Sequence, residues 1–215
     1  MATNAEFPPY EFIDAKGKIA GMDIDIMNAV CREMGYTLKV ENMKFDSIIP
    51  AVNAGKADIG VAGMSVTEDR KKNVDFTQTY ATACQVIIVQ ANSTIKDADG
   101  LVGKKVGVQQ GTTGDTLAGD IKNVKLQRFT KGAEAVMALT QNKLDAVIID
   151  NQPAKKFVEA NAGKIILLEK PLSDEEYAMA VKKGNKALLD KVNAALETLK
   201  MNGELDAIYN KYLAE

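Results

Sequence analysis

The chain has 215 residues, of which 46% are apolar, enough to bury one core or two small cores. Its 27 basic and 29 acidic residues leave a formal net charge of -2, without a basic tract. That balance argues against nucleic-acid binding and against a cationic membrane-surface helix. Histidine is absent, which excludes Ser-His-Asp and Cys-His catalysis. Cys31 and Cys84 lack metal-site or redox spacing and are expected to be small buried residues.

Helices and short apolar strands alternate along the chain, which is typical of an α/β fold. Apolar residues at helical spacing follow Gly21, and Gly35 is expected to end that helix. Ser47 is expected to cap the next helix and Thr67 a short charged one. Strands are predicted over 37–40, 59–62, 86–89, 105–108, 146–150 and 177–181, and later helices over about 133–141, from 153, over 185–202 and over 204–213.

One helix-turn-strand pattern occurs twice. The segment from Ala51 to Val61 matches the segment from Ala138 to Ile148 at a constant offset of 87 positions. Two explanations remain open: chance similarity between common units, or two similar α/β lobes facing each other. In open α/β sheets, ligands bind outside the carboxyl ends of the strands, so two such ends would form one site.

The segment from Gly63 to Arg70 carries the clearest candidate site. A strand ends at Gly63, Ser65 offers a hydroxyl, and Thr67 begins a helix whose N–H groups favour an anion. Arg70 is either a bidentate clamp for a carboxylate or a solvated helix residue beside acidic neighbours. Both interpretations remain open at this point.

Three further features have two explanations each. The loop from Gly111 to Gly114 could present N–H groups to an anion, but it is neither a Walker loop nor a G-x-G-x-x-G motif. Asp150 ends an apolar strand, where it caps the next helix or pairs with a ligand cation. Phe7, beside a rigid Pro-Pro pair, and Phe45 either sandwich a ligand side chain or belong to the core.

Together these segments resemble the family 3 solute-binding proteins of polar amino-acid ABC importers, over essentially the whole chain. The motifs that carry the resemblance are those at 2–12, 21–25, 45–50, 56–58, 63–70, 74–76, 107–112 and 145–150, and the closing helices. The resemblance implies a type II periplasmic-binding-protein fold, in which two α/β lobes are joined by two hinge strands. The lobes would span 1–84 plus 177–215 and 85–176, with hinges at about 80–85 and 176–180.

The resemblance also implies roles for single residues. Arg70 would bind the ligand carboxylate with N–H groups of Ser65 and Thr113, and Asp150 would bind the ammonium with Ser65 and the Gly63 carbonyl. The implied ligand-binding set is Asn4, Phe7, Glu11, Phe45, Gly63, Met64, Ser65, Arg70, Gln109, Thr112, Thr113 and Asp150. Asn4 stands where many members have aspartate, and Gln109 stands where lysine or leucine is common.

The expected function is that of an extracytoplasmic subunit that closes around one free L-amino acid and delivers it to a permease and its ATPase. The chain is expected to be monomeric, without cofactor, metal, nucleic-acid partner or catalysis, and to be trimmed of a signal region. L-Glutamine is the first ligand, because Asn4 and Gln109 are neutral amides. Arginine or lysine is the alternative, with Glu6 or Glu11 as partner. The rivals are a cyclohexadienyl-dehydratase-like enzyme, with Glu6, Glu11 and Asp150 as candidate acids, and a sensory module of a receptor or regulator.

Overall fold

The computed structural model describes residues 1–213. Two compact units divide the chain: unit 1 contains Met1–Thr82 and the chain from Glu176 onward, and unit 2 contains Ala83–Glu175. The chain therefore passes from one unit to the other twice. The division into functional lobes at 84/85 and 176/177 stays a prediction.

Strands and helices follow one another in both units. The strands are β1 (Ala2–Thr3), β2 (Glu6–Phe7), β3 (Glu11–Ile13), β4 (Ile19–Ala20), β5 (Glu41–Asn42), β6 (Ile59–Gly60), β7 (Val74–Phe76), β8 (Ala81–Ala83), β9 (Gln85–Gln90), β10 (Lys105–Gln109), β11 (Lys125–Phe129), β12 (Ala146–Asp150), β13 (Ile165–Leu168), β14 (Glu175–Tyr177) and β15 (Ala180–Lys182). The helices are α1 (Met22–Met34), α2 (Ile48–Asn53), α3 (Glu68–Lys71), α4 (Thr113–Asp120), α5 (Gly132–Thr140), α6 (Asn151–Ala160), α7 (Lys186–Met201) and α8 (Glu204–Leu213). Short 3-10 helices span Phe45–Ser47 and Asp99–Leu101.

Unit 1 is built on a mixed sheet with the strand order β5-β1-β6-β15-β7. Strand β1 runs parallel to β5 and β6, whereas β15 runs antiparallel to β6 and β7. Helix α2 packs on this sheet through Ile48 and Val52, in a core that includes Ala2, Met64 and Ala180. A second, antiparallel sheet, β2-β3-β4, contains the segment with Phe7 and Glu11.

Unit 2 has its own sheet, with the strand order β11-β10-β12-β9-β13. Strand β10 is parallel to β11 and β12, and β9 is antiparallel to both β12 and β13. The central strands β9 and β12 are apolar along most of their length because helices cover the sheet. The core of unit 2 includes Ile87, Val106, Val108, Ile148 and Leu168.

Most predicted elements are confirmed, and three details are wrong. Residues 37–40 form no strand; β5 starts at Glu41, because its pairing with Ala2 and Thr3 of β1 defines the strand. Ser47 precedes α2, but among the described residues its side chain caps nothing and donates to Asp46. The strand predicted over 177–181 is divided between β14 and β15.

No helix among residues 1–213 combines the length and the hydropathy of a membrane span. Both cysteines are free thiols; Cys31 is buried as predicted, whereas Cys84 is only half-buried, so the prediction for Cys84 is wrong.

Candidate functional site

In unit 1 the candidate site is a loop that follows β6. The Met64 carbonyl accepts from the Ala178 amide at 3.1 Å, Ser65 forms a β-bridge with Tyr177, and the Val66 amide donates to the Glu176 carbonyl at 2.9 Å. These bonds fix the loop against the returning chain. We call residues 63–66 the binding loop.

Gly63 adopts a left-handed backbone with φ of 50°. A Cβ there would lie 3.2 Å from the Phe7 ring and 3.3 Å from the Tyr177 ring. Both the backbone angle and the close packing therefore favour glycine at this position. Phe7 is buried, with 6% of its surface exposed, and stacks on Tyr10 at a centroid distance of 6.1 Å. The structure thus brings Phe7 to the binding loop, although Phe7 also belongs to an aromatic cluster of the core.

Arg70 lies beside the same loop. As predicted, Thr67 caps α3, with its Oγ1 accepting from the Arg70 amide at 3.2 Å. The Arg70 Nη1 donates to the Ser65 carbonyl at 2.7 Å, and the guanidinium carbon lies 5.2 Å from the centre of the Phe45 ring. Arg70 is partly buried. These contacts orient the guanidinium and favour the clamp interpretation over that of a solvated helix residue.

Asn4 and Glu11, the two candidates for the side-chain end of the pocket, are both buried in unit 1. Asn4 is 5% exposed, and its Nδ2 donates to the Met43 carbonyl at 2.8 Å. Glu11 is fully buried, with 0% of its surface exposed. Glu6, the other acidic candidate, is only half-buried. The prediction that Glu11 binds a ligand cation stays a prediction.

In unit 2 the candidate residues gather at the start of α4. Thr112 is its N-cap, with Oγ1 accepting from the Asp115 amide at 3.3 Å. Thr113 Oγ1 accepts from Gln85 Nε2 at 3.0 Å and donates to Glu175 Oε2 at 2.8 Å. Thr113 is thus held by both β9 and β14, a role for Gln85 and Glu175 that was not predicted. Nothing in the sequence pattern marks these two residues.

Two buried polar residues stand at the carboxyl ends of parallel strands in the same unit. Gln109 ends β10 and is 3% exposed, and Asp150 ends β12 and is also 3% exposed. Asp150 is the N-cap residue of α6, yet within the described chain its side chain makes no capping hydrogen bond. Asp150 therefore does not cap α6 through its side chain, and its pairing with a ligand cation stays a prediction.

The whole chain, residues 1–215, matches the family described as bacterial extracellular solute-binding proteins, family 3. A probable histidine-binding protein of Neisseria gonorrhoeae is 35% identical over 221 residues, with 100% of this chain and 82% of the relative covered. An ancestral arginine-binding protein bound to arginine is 42% identical, with a TM-score of 0.94 and 99% and 96% of the two chains covered. A second structure of an ancestral arginine-binding protein, bound to glutamine, is 41% identical with a TM-score of 0.92, and 100% of this chain and 96% of that chain are covered.

The chain belongs to family 3 of the bacterial extracellular solute-binding proteins. Its fold is the type II periplasmic-binding-protein fold, as the resemblance implied. The family and the relatives described above are solute-binding and amino-acid-binding proteins, so the chain is a solute-binding protein and not an enzyme of the dehydratase type. Family membership fixes the class of protein and leaves the solute to be argued from the site residues.

Proposed function

We propose that this protein binds one free L-amino acid outside the cytoplasmic membrane and delivers it to an ABC permease and its ATPase. The observation that carries the proposal is the orientation of Arg70 beside the binding loop, through the Ser65 carbonyl and the Phe45 ring. A planar guanidinium held in this way is suited to bidentate binding of an α-carboxylate. The names of the relatives support an amino acid as the solute.

The proposed contacts come from both units. In unit 1, Arg70 and the Ser65 amide bind the carboxylate, the Gly63 carbonyl accepts from the ammonium, and Phe7 and Phe45 cover the ligand side chain. In unit 2, the Thr113 amide assists with the carboxylate and Asp150 pairs with the ammonium. Met64 and Thr112 would line the same pocket. Simultaneous contact with both sets of residues would stabilise a closed form, which is the form that a permease recognises.

L-Glutamine is the first proposed ligand. Asn4 and Gln109, which the resemblance implies at the side-chain end of the pocket, are buried neutral amides. A guanidinium or ammonium buried beside neutral amides alone would lack a counter-charge, which is strongly unfavourable. An amide ligand can instead donate to and accept from the two amides.

L-Arginine is the second candidate, because a protein that is 42% identical is an arginine-binding protein bound to arginine. Glutamine has been found in a structure of a protein with the same description. This scaffold type therefore holds both ligands. In the present chain, the half-buried Glu6 and the buried Glu11 are the acidic residues of the Phe7 segment that could pair with a guanidinium.

Calorimetric titration with L-glutamine and L-arginine at several salt concentrations tests the proposal. We expect glutamine to bind more tightly, and Asn4→Asp to shift the preference towards arginine by supplying a carboxylate. Asn92→Asp, which adds the same charge at an exposed position of unit 2, is the control. If arginine binds at least tenfold more tightly, about 1.4 kcal/mol, the glutamine proposal is wrong. If neither these two ligands nor any other amino acid binds, the proposed function is wrong.

A further inference from the structure

The turn that leads from β10 into α4 contains a carboxylate of its own. Asp115 is buried and lies in the first turn of α4. Its Oδ2 accepts from the Gly111 amide at 3.0 Å, and its own amide donates to Thr112 Oγ1 at 3.3 Å. This is the reciprocal arrangement of a capping box, with the side-chain bond displaced by one residue. Asp115 therefore closes the turn in front of α4.

The same turn is fixed to the end of β10. Thr112 Oγ1 donates to the Gln109 carbonyl at 2.8 Å. Gly111 has φ of 80°, a left-handed angle that glycine adopts without strain. The Gly111 amide is thus already used by a carboxylate of the protein. Thr113 stands at the first position of α4, where a helix amide has no intrahelical partner, so the turn favours the Thr113 amide as the donor to a ligand.

Arg128 binds the same carboxylate from the neighbouring strand. Its Nε donates to Asp115 Oδ1 at 2.8 Å and to Oδ2 at 3.0 Å. Strand β11 brings Arg128 there because it pairs parallel with β10, with Arg128 beside Val108. The Arg128 side chain is 53% exposed, whereas that of Asp115 is only 11% exposed. The acid is therefore the buried member of the pair, and the guanidinium lies on its solvent side.

A negative charge at this point opposes the proposed function. Asp115 follows Thr113 by two residues, and the Thr113 amide is the group that we propose for the ligand carboxylate. Two carboxylates at one helix start repel each other, most strongly where both are removed from water. The positive charge of Arg128 offsets this repulsion, and its bonds to both Asp115 oxygens hold the acid in place.

We propose that Asp115 and Arg128 are positioning residues for the binding of the ligand carboxylate in unit 2. Asp115 holds the turn in front of α4 through the Gly111 amide. Arg128 compensates the negative charge that Asp115 brings to the start of that helix. Both side chains act through the turn and not by contact with the ligand. The inference rests on the proposed function, because it assigns the ligand carboxylate to the Thr113 amide.

The test is calorimetric titration with L-glutamine and L-arginine of variants that change the charge in opposite directions. Arg128→Gln leaves the Asp115 charge uncompensated and should weaken binding about tenfold at low salt. The loss should be smaller at about 1 M salt, because salt screens charges. Asp115→Asn removes the charge and keeps an oxygen for the Gly111 amide, so its affinity should equal or exceed that of the wild type. The double variant, Asp115→Asn with Arg128→Gln, should recover the affinity that Arg128→Gln loses.

Asp115→Ala tests the turn itself. This variant removes the acceptor of the Gly111 amide and should lose about tenfold in affinity, which Asp115→Asn should retain. Lys125→Gln and Asp120→Asn are the controls, because they remove an exposed cation from β11 and an exposed acid from α4. Both controls should bind as the wild type does. If circular dichroism shows that Asp115→Ala does not fold, the comparison of Arg128→Gln with Asp115→Asn decides.

Three results would overturn the inference while the proposed function stands, because the wild type would still bind its amino acid. A wild-type affinity in Arg128→Gln would exclude charge compensation. A wild-type affinity in folded Asp115→Ala would exclude the role of the turn. Equal losses in Arg128→Gln and Asp115→Asn would make the pair a structural salt bridge. If the wild type itself binds no amino acid, the proposed function is wrong and the positioning roles are wrong with it.

Discussion

The turn between α2 and β6 in unit 1 and the turn between α5 and β12 in unit 2 have the same backbone. Gly55 has φ of 70°, and Asn142, its counterpart 87 positions later, has φ of 60°. In both turns the next amide donates to a helix carbonyl at 2.9 Å, from Lys56 to Ala51 and from Lys143 to Ala138. Matching left-handed residues and matching hydrogen bonds favour two similar α/β units over chance similarity of sequence.

The two units differ in the groups that stand at the end of the strand. In unit 1, β6 leads to the binding loop, where Gly63 and Ser65 offer mainly backbone groups and Arg70 supplies the positive charge. In unit 2, β12 ends in the buried carboxylate of Asp150. The same scaffold thus carries a proposed carboxylate-binding group in one unit and a proposed ammonium-binding group in the other. Mutations at the two sites test these roles, and mutations in the two turns test the similarity of the units.

The largest effect is expected for Arg70→Ala, which removes the proposed partner of the ligand carboxylate. Loss of one member of a buried charge pair costs about 3–5 kcal/mol, so calorimetry should show loss of measurable binding. Circular dichroism should show an unchanged fold, because Arg70 is only partly buried. Lys71→Ala is the control, since Lys71 pairs with the exposed Glu68 and should bind ligand normally. Tight binding by folded Arg70→Ala would remove Arg70 from the site.

A slightly smaller effect is expected for Asp150→Asn in unit 2. The variant keeps the shape and removes the charge that we propose for the ammonium, at a cost of about 2–5 kcal/mol in binding. Thermal unfolding without ligand separates a lost ligand contact from a lost structural contact of Asp150. A wild-type affinity combined with a lower melting temperature would instead indicate a structural role.

Much of the fold could be predicted from local sequence signals. The helical spacing after Gly21 and the glycine at Gly35 indicated α1, and the apolar run before Asp150 indicated β12. The Thr67 cap could be predicted because helix caps have recognisable residue types. The edge strand β5 was misplaced, because its limits depend on pairing with β1, which lies some 40 residues earlier in the chain.

The internal partners of the candidate site could not be predicted. Glutamate in a loop is usually solvated, so the burial of Glu11 was not expected. That burial depends on the close approach of α1 to β3, which Gly21 permits. Tyr177 packs its ring against Tyr10 at 5.1 Å across a long sequence separation. Asp23 lies within the motif at 21–25. That motif supported the resemblance to the family, but it implied no physical role for Asp23. Such contacts join residues that are far apart in the sequence, so the spacing of residue types along the chain cannot predict them.

The smallest effect concerns the two turns themselves. Gly55 and Asn142 are both exposed, and no heavy atom lies within 4 Å of a Cβ built on Gly55, so only the backbone angle opposes a side chain there. A left-handed alanine costs about 1–2 kcal/mol, whereas asparagine tolerates this conformation better. We therefore expect the same order of unfolding free energies at both positions, with glycine highest, asparagine slightly lower and alanine lowest. Urea unfolding of Gly55→Asn, Gly55→Ala, Asn142→Gly and Asn142→Ala gives that order. Opposite orders at the two positions would show that the turns are not equivalent, and the argument for two similar units would lose its structural support.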